Sequence, residues 1–343
     1  MFHFYTRMLP IEHTPLKLRH TFHMDVYANY WFDFSSIGEL KEILTDESYR
    51  HLPKMAIGGG SNLLFLKDYP GMLLHSSIKD IECLEENERH YLIRAGSGIN
   101  WDAFVETCIQ NGWYGLENLS GIPGEIGAGP VQNIGAYGAE AKDFIHSVEV
   151  LHVDTLETQI LSNEDCQFGY RDSIFKHELK DKCVVCYVTY RLNKHFNPNV
   201  QYKDLQQVIG SENNLTASAL RDAVLEIRNK KLPNCDEVGN AGSFYTNPIV
   251  SRAQFEALKL RYPDISGYEQ SNGTYKVSAA WCIDQAGWKG KSLGNAAVHA
   301  RQALVLINPG EATSQDILNL SHQIVEDVQA KFGIVLVPEV LMI

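Results

Sequence analysis

Two glycine-rich stretches hold the residues best suited to chemistry in this chain. The longer is Gly115-Leu-Glu-Asn-Leu-Ser-Gly-Ile-Pro-Gly124-Glu-Ile-Gly-Ala-Gly-Pro130-Val-Gln-Asn-Ile-Gly-Ala-Tyr-Gly138. So many glycines would weaken a helix or strand, because each has extra backbone freedom to lose on folding. A loop is what remains, and successive amides in such a loop form a concavity suited to phosphate oxygens. An ordinary surface loop would be rich in Ser, Asn, Asp and Lys. This one is interleaved with Leu116, Leu119, Ile122, Ile126, Val131 and Ile134, so it is expected to lie buried against the fold. The shorter stretch, Gly58-Gly-Gly-Ser-Asn62, sits between the apolar runs Met55-Ala-Ile57 and Leu63-Leu-Phe-Leu66, giving strand, turn, strand. No helix signal follows it, which excludes the Rossmann turn with its phosphate on a helix N-terminus. Alone it reads equally as a hairpin turn or a pyrophosphate turn; the cradle downstream favours the second.

Charged and nucleophilic residues elsewhere carry double readings. Arg228-Asn-Lys-Lys231 closes a predicted helix, where basic residues suit the helix dipole as well as a diphosphate. Ser243 lies in Gly239-Asn-Ala-Gly-Ser-Phe-Tyr-Thr-Asn-Pro248 and on its own reads as a turn serine. Arg171 and Glu339 read as a structural ion pair or as members of a site. Cys183 and Cys186 have metal-pair spacing, but they fall in a β-branched, aromatic strand over 182–192. Residues three apart there face opposite sides and cannot clamp one ion, so core thiols and no metal site are expected.

The elements that position these residues follow from periodicity and caps. A strand is expected at 91–94. A helix capped by Asn100 follows, with Trp101, Phe104, Val105, Cys108 and Ile109 inward and Gly112 as its stop. Strands are expected at 147–153 and 183–192, and a helix opens at Thr216 or Ser218 and runs to Lys231. Residues 232–236 read as a linker. Helices over 251–260 and 314–332, a strand at 303–308 and a final strand over 334–343 build a smaller α/β domain. Residues 1–20 have no clear period and read as a lead-in.

At 343 residues the chain should hold two or three domains, and 44% hydrophobic content suffices for their cores. A net charge of −12 argues against a nucleic-acid or anionic-membrane partner, so anionic ligands must be met by local lysines and arginines. The longest apolar runs, 303–307 and 334–337, are far below the ~20 residues of a spanning helix. Scattered polar residues such as His3, Arg7 and Glu12 leave no signal-peptide core. Seven dispersed cysteines suit a reducing compartment. A cytoplasmic protein is expected.

Gly121-Ile-Pro-Gly124 followed by Pro130-Val-Gln-Asn-Ile-Gly-Ala-Tyr-Gly138 resembles the flavin-binding signature of the UDP-N-acetylenolpyruvoylglucosamine reductase family. The resemblance continues at Gly58-Gly-Gly-Ser-Asn62, Gly169-Tyr-Arg-Asp-Ser173, Gly239-Asn-Ala-Gly-Ser-Phe244 and Pro338-Glu339, and so covers nearly everything from Thr21 on. It implies an α+β fold: FAD-binding domains of the vanillyl-alcohol-oxidase type (1–75 and 76–232), a smaller α/β substrate-binding domain (233–333) and a C-terminal strand (334–343) returning to the active-site cleft. The activity implied is NADPH-dependent reduction of UDP-N-acetylglucosamine enolpyruvate to UDP-N-acetylmuramate by a monomer with tightly held FAD. Hydride would pass from the flavin to the enolpyruvyl β-carbon and a proton from Ser243 to the α-carbon. A serine hydroxyl is a weak acid and can protonate only a strong base such as the enolic carbanion.

By the same resemblance, Arg171, Ser243 and Glu339 are the catalytic residues. Gly58, Gly59, Gly60, Ser61, Asn62, Gly121, Ile122, Pro123, Gly124, Gln132, Asn133, Gly135, Ala136, Tyr137 and Arg171 would meet FAD. Tyr202, Lys231, Asn247, Lys289 and Gln302 would meet the nucleotide sugar, while His299 receives no role. The tyrosine in Gln201-Tyr-Lys-Asp204, with Ser173-Ile-Phe-Lys176, points to the longer subfamily in which tyrosine closes over the diphosphate. Leu341 departs from the pattern, since many members carry a basic residue there. Another FAD-dependent oxidase or dehydrogenase of the superfamily, or a non-catalytic nucleotide-sugar binder, stays open as an alternative.

Overall fold

The computed structural model describes residues 9–210 and 214–343. Part of the expected lead-in, with His3 and Arg7, lies outside the described residues; the remainder contains a strand at Ile11–Pro15. The chain divides into two compact units, one holding residues up to 14, 28–59 and 69–230, the other 15–27, 60–68 and 231–343. No helix among the described residues is long and apolar enough to cross a membrane.

The first unit contains two sheets. One has the order Ile11–Pro15, Tyr27–Phe34, Tyr69–Ser76, Lys54–Ile57, and Tyr69–Ser76 runs parallel to both of its neighbours. Parallel neighbours need a crossover, and the helix Ile37–Thr45 lies in it. Ser36 starts that helix by accepting the Glu39 N–H at 3.1 Å, and the Glu39 carboxylate accepts the Ser35 N–H at 2.6 Å. The second sheet is antiparallel, in the order Thr158–Ser162, Ile145–His152, Cys183–Asn193, His90–Gly96, Ile81–Glu86. Cys183 packs against the core on one side of its strand and Cys186 against the core on the other, as residues three apart must. Burial pushes their thiols up, to about 11 and about 12.

The helix Trp101–Gln110 starts at Asn100, whose side chain accepts the Ala103 N–H at 3.0 Å. Trp101, Phe104, Val105 and Cys108 are buried beneath it with Ile93, Val148, Val188 and Tyr190. Emptying a site as closed as that of Phe104 costs about 3–5 kcal/mol. The glycine-rich loop joins this core through Leu116, Leu119, Ile126 and Ile134, all buried, and Leu119 accepts the Trp101 indole N–H at 2.8 Å. The apolar half of the loop is thus its anchor. A smaller cluster joins the helices Lys203–Ile209 and Ala217–Lys231 through Leu205, Leu220, Val224 and Ile227.

In the second unit a four-stranded sheet runs Gly239–Asn240, Leu306–Asn308, Ala296–Val298, Ser292–Leu293. The helix Ser314–Phe332 packs on it, started by a reciprocal Thr313–Asp316 capping box and ended by Gly333 at φ 65°. Two expectations change, and the less favoured of the two readings of Gly58–Asn62 is excluded. The strand at 303–308 shrinks to Leu306–Asn308, because 302–305 turns with Val305 N–H on Gln302. The Gly58–Asn62 stretch joins no hairpin: Lys54–Ile57 pairs in the parallel sheet of the first unit, and Leu63–Leu64 pairs parallel to Leu341–Met342 in the second. The final strand is only Leu341–Met342. Before it, Ile334 and Leu336 are buried and Val335 and Val337 exposed, so the alternation is real. Pairing is confined to a bridge between Tyr245 and Pro338, since proline has no N–H for a ladder.

Candidate functional site

In the first unit the cradle is held to the fold at its middle. The Trp101 amide donates to Gly124 at 3.0 Å, Ile126 to Ile99 at 2.9 Å and Gly127 to Ser97 at 2.9 Å. The amides of Ala128, Gly129, Val131, Asn133 and Ile134 donate to carbonyls within the loop, and that of Gly121 to Asp102 Oδ1 at 2.5 Å. These amides frame the loop and are not available to a phosphate. The main chain that can face a ligand is therefore narrower than the glycine pattern suggests, and Ile122–Glu125, with the Gly58–Gly59 turn beside it, is one stretch of it. A Cβ on Gly59 would stand 3.3 Å from Gly124 Cα, and one on Gly58 would stand 3.3 Å from Glu125 Oε2. At Gly59 backbone meets backbone with no side chain between, while Gly58 is bordered by the Glu125 side chain; the Gly59–Gly124 approach suits the diphosphate of a dinucleotide such as FAD.

A second group of expected residues gathers at the far end of the loop. Arg171 donates to the Gly135 carbonyl at 2.8 Å and, more weakly, to Asn133 at 3.5 Å. Asn133 is fully buried; its amide donates to Glu140 Oε2 and to the Gly169 carbonyl, both at 2.8 Å, and accepts the Lys142 N–H at 2.9 Å. That side chain fastens the loop to the Gly169–Arg171 turn and has little left for a cofactor. Tyr137 and Tyr202 meet edge to face with ring centroids 5.3 Å apart. Tyr202 stands at the N-terminus of the helix Lys203–Ile209. Burial pushes the Tyr137 hydroxyl up to about 12.

Asp102 and Arg221, which the sequence reading passed over, complete this region together with Arg228 of the basic helix end. Arg221 grips Asp102 with both nitrogens, at 2.5 and 2.8 Å. Burial opposes ionisation of Asp102, but Arg221 and the Gly121 amide outweigh it and hold the carboxyl below its usual range. Arg228 lies over Gly121, its Nε 3.0 Å from where a Cβ would stand, and burial lowers its pKa against the pull of Tyr137 and Asp102. The seven-residue spacing of Arg221 and Arg228 puts them on one face of the helix Ala217–Lys231, a signal present in the sequence. Lys231 is exposed at the end of that helix.

In the second unit Gly60 sits at φ 59° directly against His20 and Arg19. Burial drives the His20 imidazole down to about 4, so it packs neutral at neutral pH. Asn62 donates to the Glu339 carbonyl at 3.2 Å and accepts the Leu341 N–H at 3.0 Å, so this turn and the C-terminal segment are bound together. Glu339 N–H in turn donates to the Phe244 carbonyl at 2.8 Å, and Thr246 N–H to Val337 at 3.0 Å. Half-buried Ser243 is thereby held one residue from the partner of Glu339. The Asn247 carbonyl accepts the Ala279 N–H at 3.0 Å, which leaves its NH2 end to donate. Lys289 pairs with Asp284 at 3.2 Å, and Gln302 Oε1 accepts the Leu304 N–H at 3.4 Å. Arg171 belongs to the first unit; Ser243, Glu339, Asn247, Lys289 and Gln302 belong to the second.

The FAD-binding-domain family matches residues 30–155, which makes this a flavin-binding protein with the cradle inside the matched region. The family described as UDP-N-acetylenolpyruvoylglucosamine reductase, C-terminal domain, matches residues 233–343. A UDP-N-acetylenolpyruvoylglucosamine reductase of Bacteroides fragilis (strain YCH46) is 45% identical over 325 residues, covering 95% of this chain and 97% of its own. One from Porphyromonas gingivalis (strain ATCC 33277) is 43% identical over 327 residues, with 95% and 97% covered. The chain belongs to the UDP-N-acetylenolpyruvoylglucosamine reductase family of FAD-binding oxidoreductases. The crystal structure of the corresponding enzyme from Thermus caldophilus shares the fold, with a TM-score of 0.67 at 22% identity over 98% of both chains.

Proposed function

We propose that the chain reduces UDP-N-acetylglucosamine enolpyruvate to UDP-N-acetylmuramate, with NADPH as electron source, in peptidoglycan precursor synthesis. The observation that carries this reading is the pairing of the 244–246 and 337–339 segments, which holds Ser243 beside the partner of Glu339. Bound FAD would supply the hydride that no side chain can. The residues of this chain would do the rest. Ser243 would hold the proton destined for the substrate α-carbon, a role open to an alcohol because the base it meets is a carbanion. Arg171, its guanidinium anchored on Gly135, would fork onto the enolpyruvyl carboxylate and stabilise charge as it develops. Glu339 would assist protonation. The Asn247 NH2 end would donate to the substrate, Lys231, Tyr202 and Lys289 (exchanging Asp284 for substrate) would meet the diphosphate and uridine, and Gln302 would read the uracil edge. Tyr202, opening a helix against Tyr137, supports assignment to the longer, tyrosine-closing subfamily.

Anaerobic stopped-flow on the flavin absorbance tests the assignment. Ser243→Ala is expected to keep NADPH-driven bleaching and to slow recolouring by the enolpyruvyl sugar by about 10²–10⁴-fold. Equal loss in both half-reactions would make Ser243 structural, and oxygen uptake in place of sugar reduction would favour an oxidase.

A further inference from the structure

His75, on the strand Tyr69–Ser76, lies between two carboxylates that come from distant parts of the first unit. Its Nδ1 is 2.6 Å from Asp33 Oδ1, on the neighbouring strand Tyr27–Phe34, and its Nε2 is 3.0 Å from Glu125 Oε1, in the glycine-rich loop. Carboxylates can only accept, so a ring facing one at each nitrogen needs a proton on both, and the pair is satisfied by an imidazolium. The other Asp33 oxygen accepts the Trp31 indole N–H at 3.0 Å, and the Trp31 ring lies 5.2 Å from that of His75. From the strand Lys54–Ile57, opposite His75, comes Ile57, which does not titrate. The second Glu125 oxygen lies against Gly58, and the preceding residue, Gly124, abuts Gly59.

We propose that His75 is a positioning residue for the flavin: as an imidazolium bridging Asp33 and Glu125 it fixes the Gly124–Glu125 segment against the Gly58–Gly59 turn, and so keeps the diphosphate bed in shape. Its deprotonation has two effects of one sign. The clamp loses a hydrogen bond to a carboxylate, and the cluster changes from one net negative charge to two beside the bed of an anion. Burial alone would lower the basicity of His75, but the hydrogen bonds and charges of Asp33 and Glu125 outweigh it and raise its pKa from 6.5 to about 9. The clamp is therefore whole below pH 6.5 and lost as the pH rises through about 9.

This rests on the Gly58–Gly59 turn being the seat of the FAD diphosphate, and the experiment separates the two ideas. Flavin release from the holoenzyme is followed by its fluorescence after dilution, across the pH range and well below the unfolding temperature. In the wild type the release rate should rise through the titration by up to roughly ten-fold per pH unit, the limit for one linked proton. His75→Gln should release flavin quickly at every pH with the dependence gone, and Glu125→Gln should move the rise to lower pH. A flat wild-type profile overturns the clamp whatever the variants do, as does a His75→Gln profile parallel to the wild type, which would mark plain structural loss. Gly59→Val serves as the control: fast release from it alone keeps the seat and rejects His75, and slow release from it and both other variants rejects both.

Discussion

The Asp102–Arg221 pair should be coupled far more strongly than an ordinary surface salt bridge. An exposed pair contributes about 0.2–1 kcal/mol, whereas removing one member of a buried pair costs about 3–5 kcal/mol. The Arg221 side chain is 11% exposed and that of Asp102 31%, with both terminal guanidinium nitrogens engaged, so this pair falls between those limits. Asp102→Ala also strips the Gly121 amide of its acceptor, adding about 1 kcal/mol. The expected losses are about 3 kcal/mol for Asp102→Ala and about 2 kcal/mol for Arg221→Ala, where Asp102 keeps Gly121 and some water. The double variant should recover about 1.5–2 kcal/mol of the sum. Urea unfolding of the four proteins near neutral pH measures this directly. The folded Asp102 carboxyl is held below its usual range, so the contribution is present above pH 3.8 and lost as acid takes the pH through the depressed value. A coupling below about 0.5 kcal/mol would show that the guanidinium does not hold the carboxylate in solution.

Two further outcomes test other joints of the fold. Arg171→Lys keeps the charge but loses the anchor on Gly135 and the planar fork proposed for the substrate carboxylate, so NADPH should still bleach the flavin while recolouring by the enolpyruvyl sugar slows by roughly 10²-fold; an unchanged second half-reaction removes Arg171 from the chemistry. Gly60→Ala puts a methyl 2.6 Å from His20 Cβ and 2.7 Å from the Arg19 carbonyl at a left-handed backbone, and should cost about 2–4 kcal/mol in urea unfolding. A loss under about 1 kcal/mol would mean that the 19–20 turn yields at little cost.

What sequence reveals of such a fold depends on whether the signal is local. The helices started by Asn100, Ser251 and Thr313 form where their caps require. The helix Ile37–Thr45, equally well marked by Ser36 and Glu39, shows that the same rule reaches a region where none had been expected. Burial of Ile126 and Ile134 follows from apolar residues among glycines. Which loop amides remain for a ligand does not, because that depends on partners such as Ser97 and Ile99 far back in the chain. The flanks of Gly58–Asn62 alone could not exclude a hairpin for a related reason: apolar flanks specify strands but not the sheet each one joins. His75 lies 42 residues from Asp33 and 50 from Glu125, beyond any spacing rule.

The backbone carries one more signal that composition hides. Asn133, Tyr137 and Arg171 all hold φ near +50°, a region that costs a non-glycine residue roughly 1 kcal/mol or more. Asparagine tolerates it; a tyrosine or an arginine there needs compensation. The compensation is visible in hydrogen bonds: Arg171 on Gly135 and Asn133 on Gly169 join the loop to the Gly169–Arg171 turn, and Asn118 on the Tyr137 carbonyl at 2.8 Å ties the loop to itself. Each strained residue is thus tied by a hydrogen bond of its own or of its neighbour, and the strain fixes where the Tyr137 ring and the Arg171 guanidinium point. Because Asn133 and Arg171 each bond across to the other's segment, relaxing either would loosen the other, so the loop and the Gly169–Arg171 turn act as one piece and not as two loops that happen to touch.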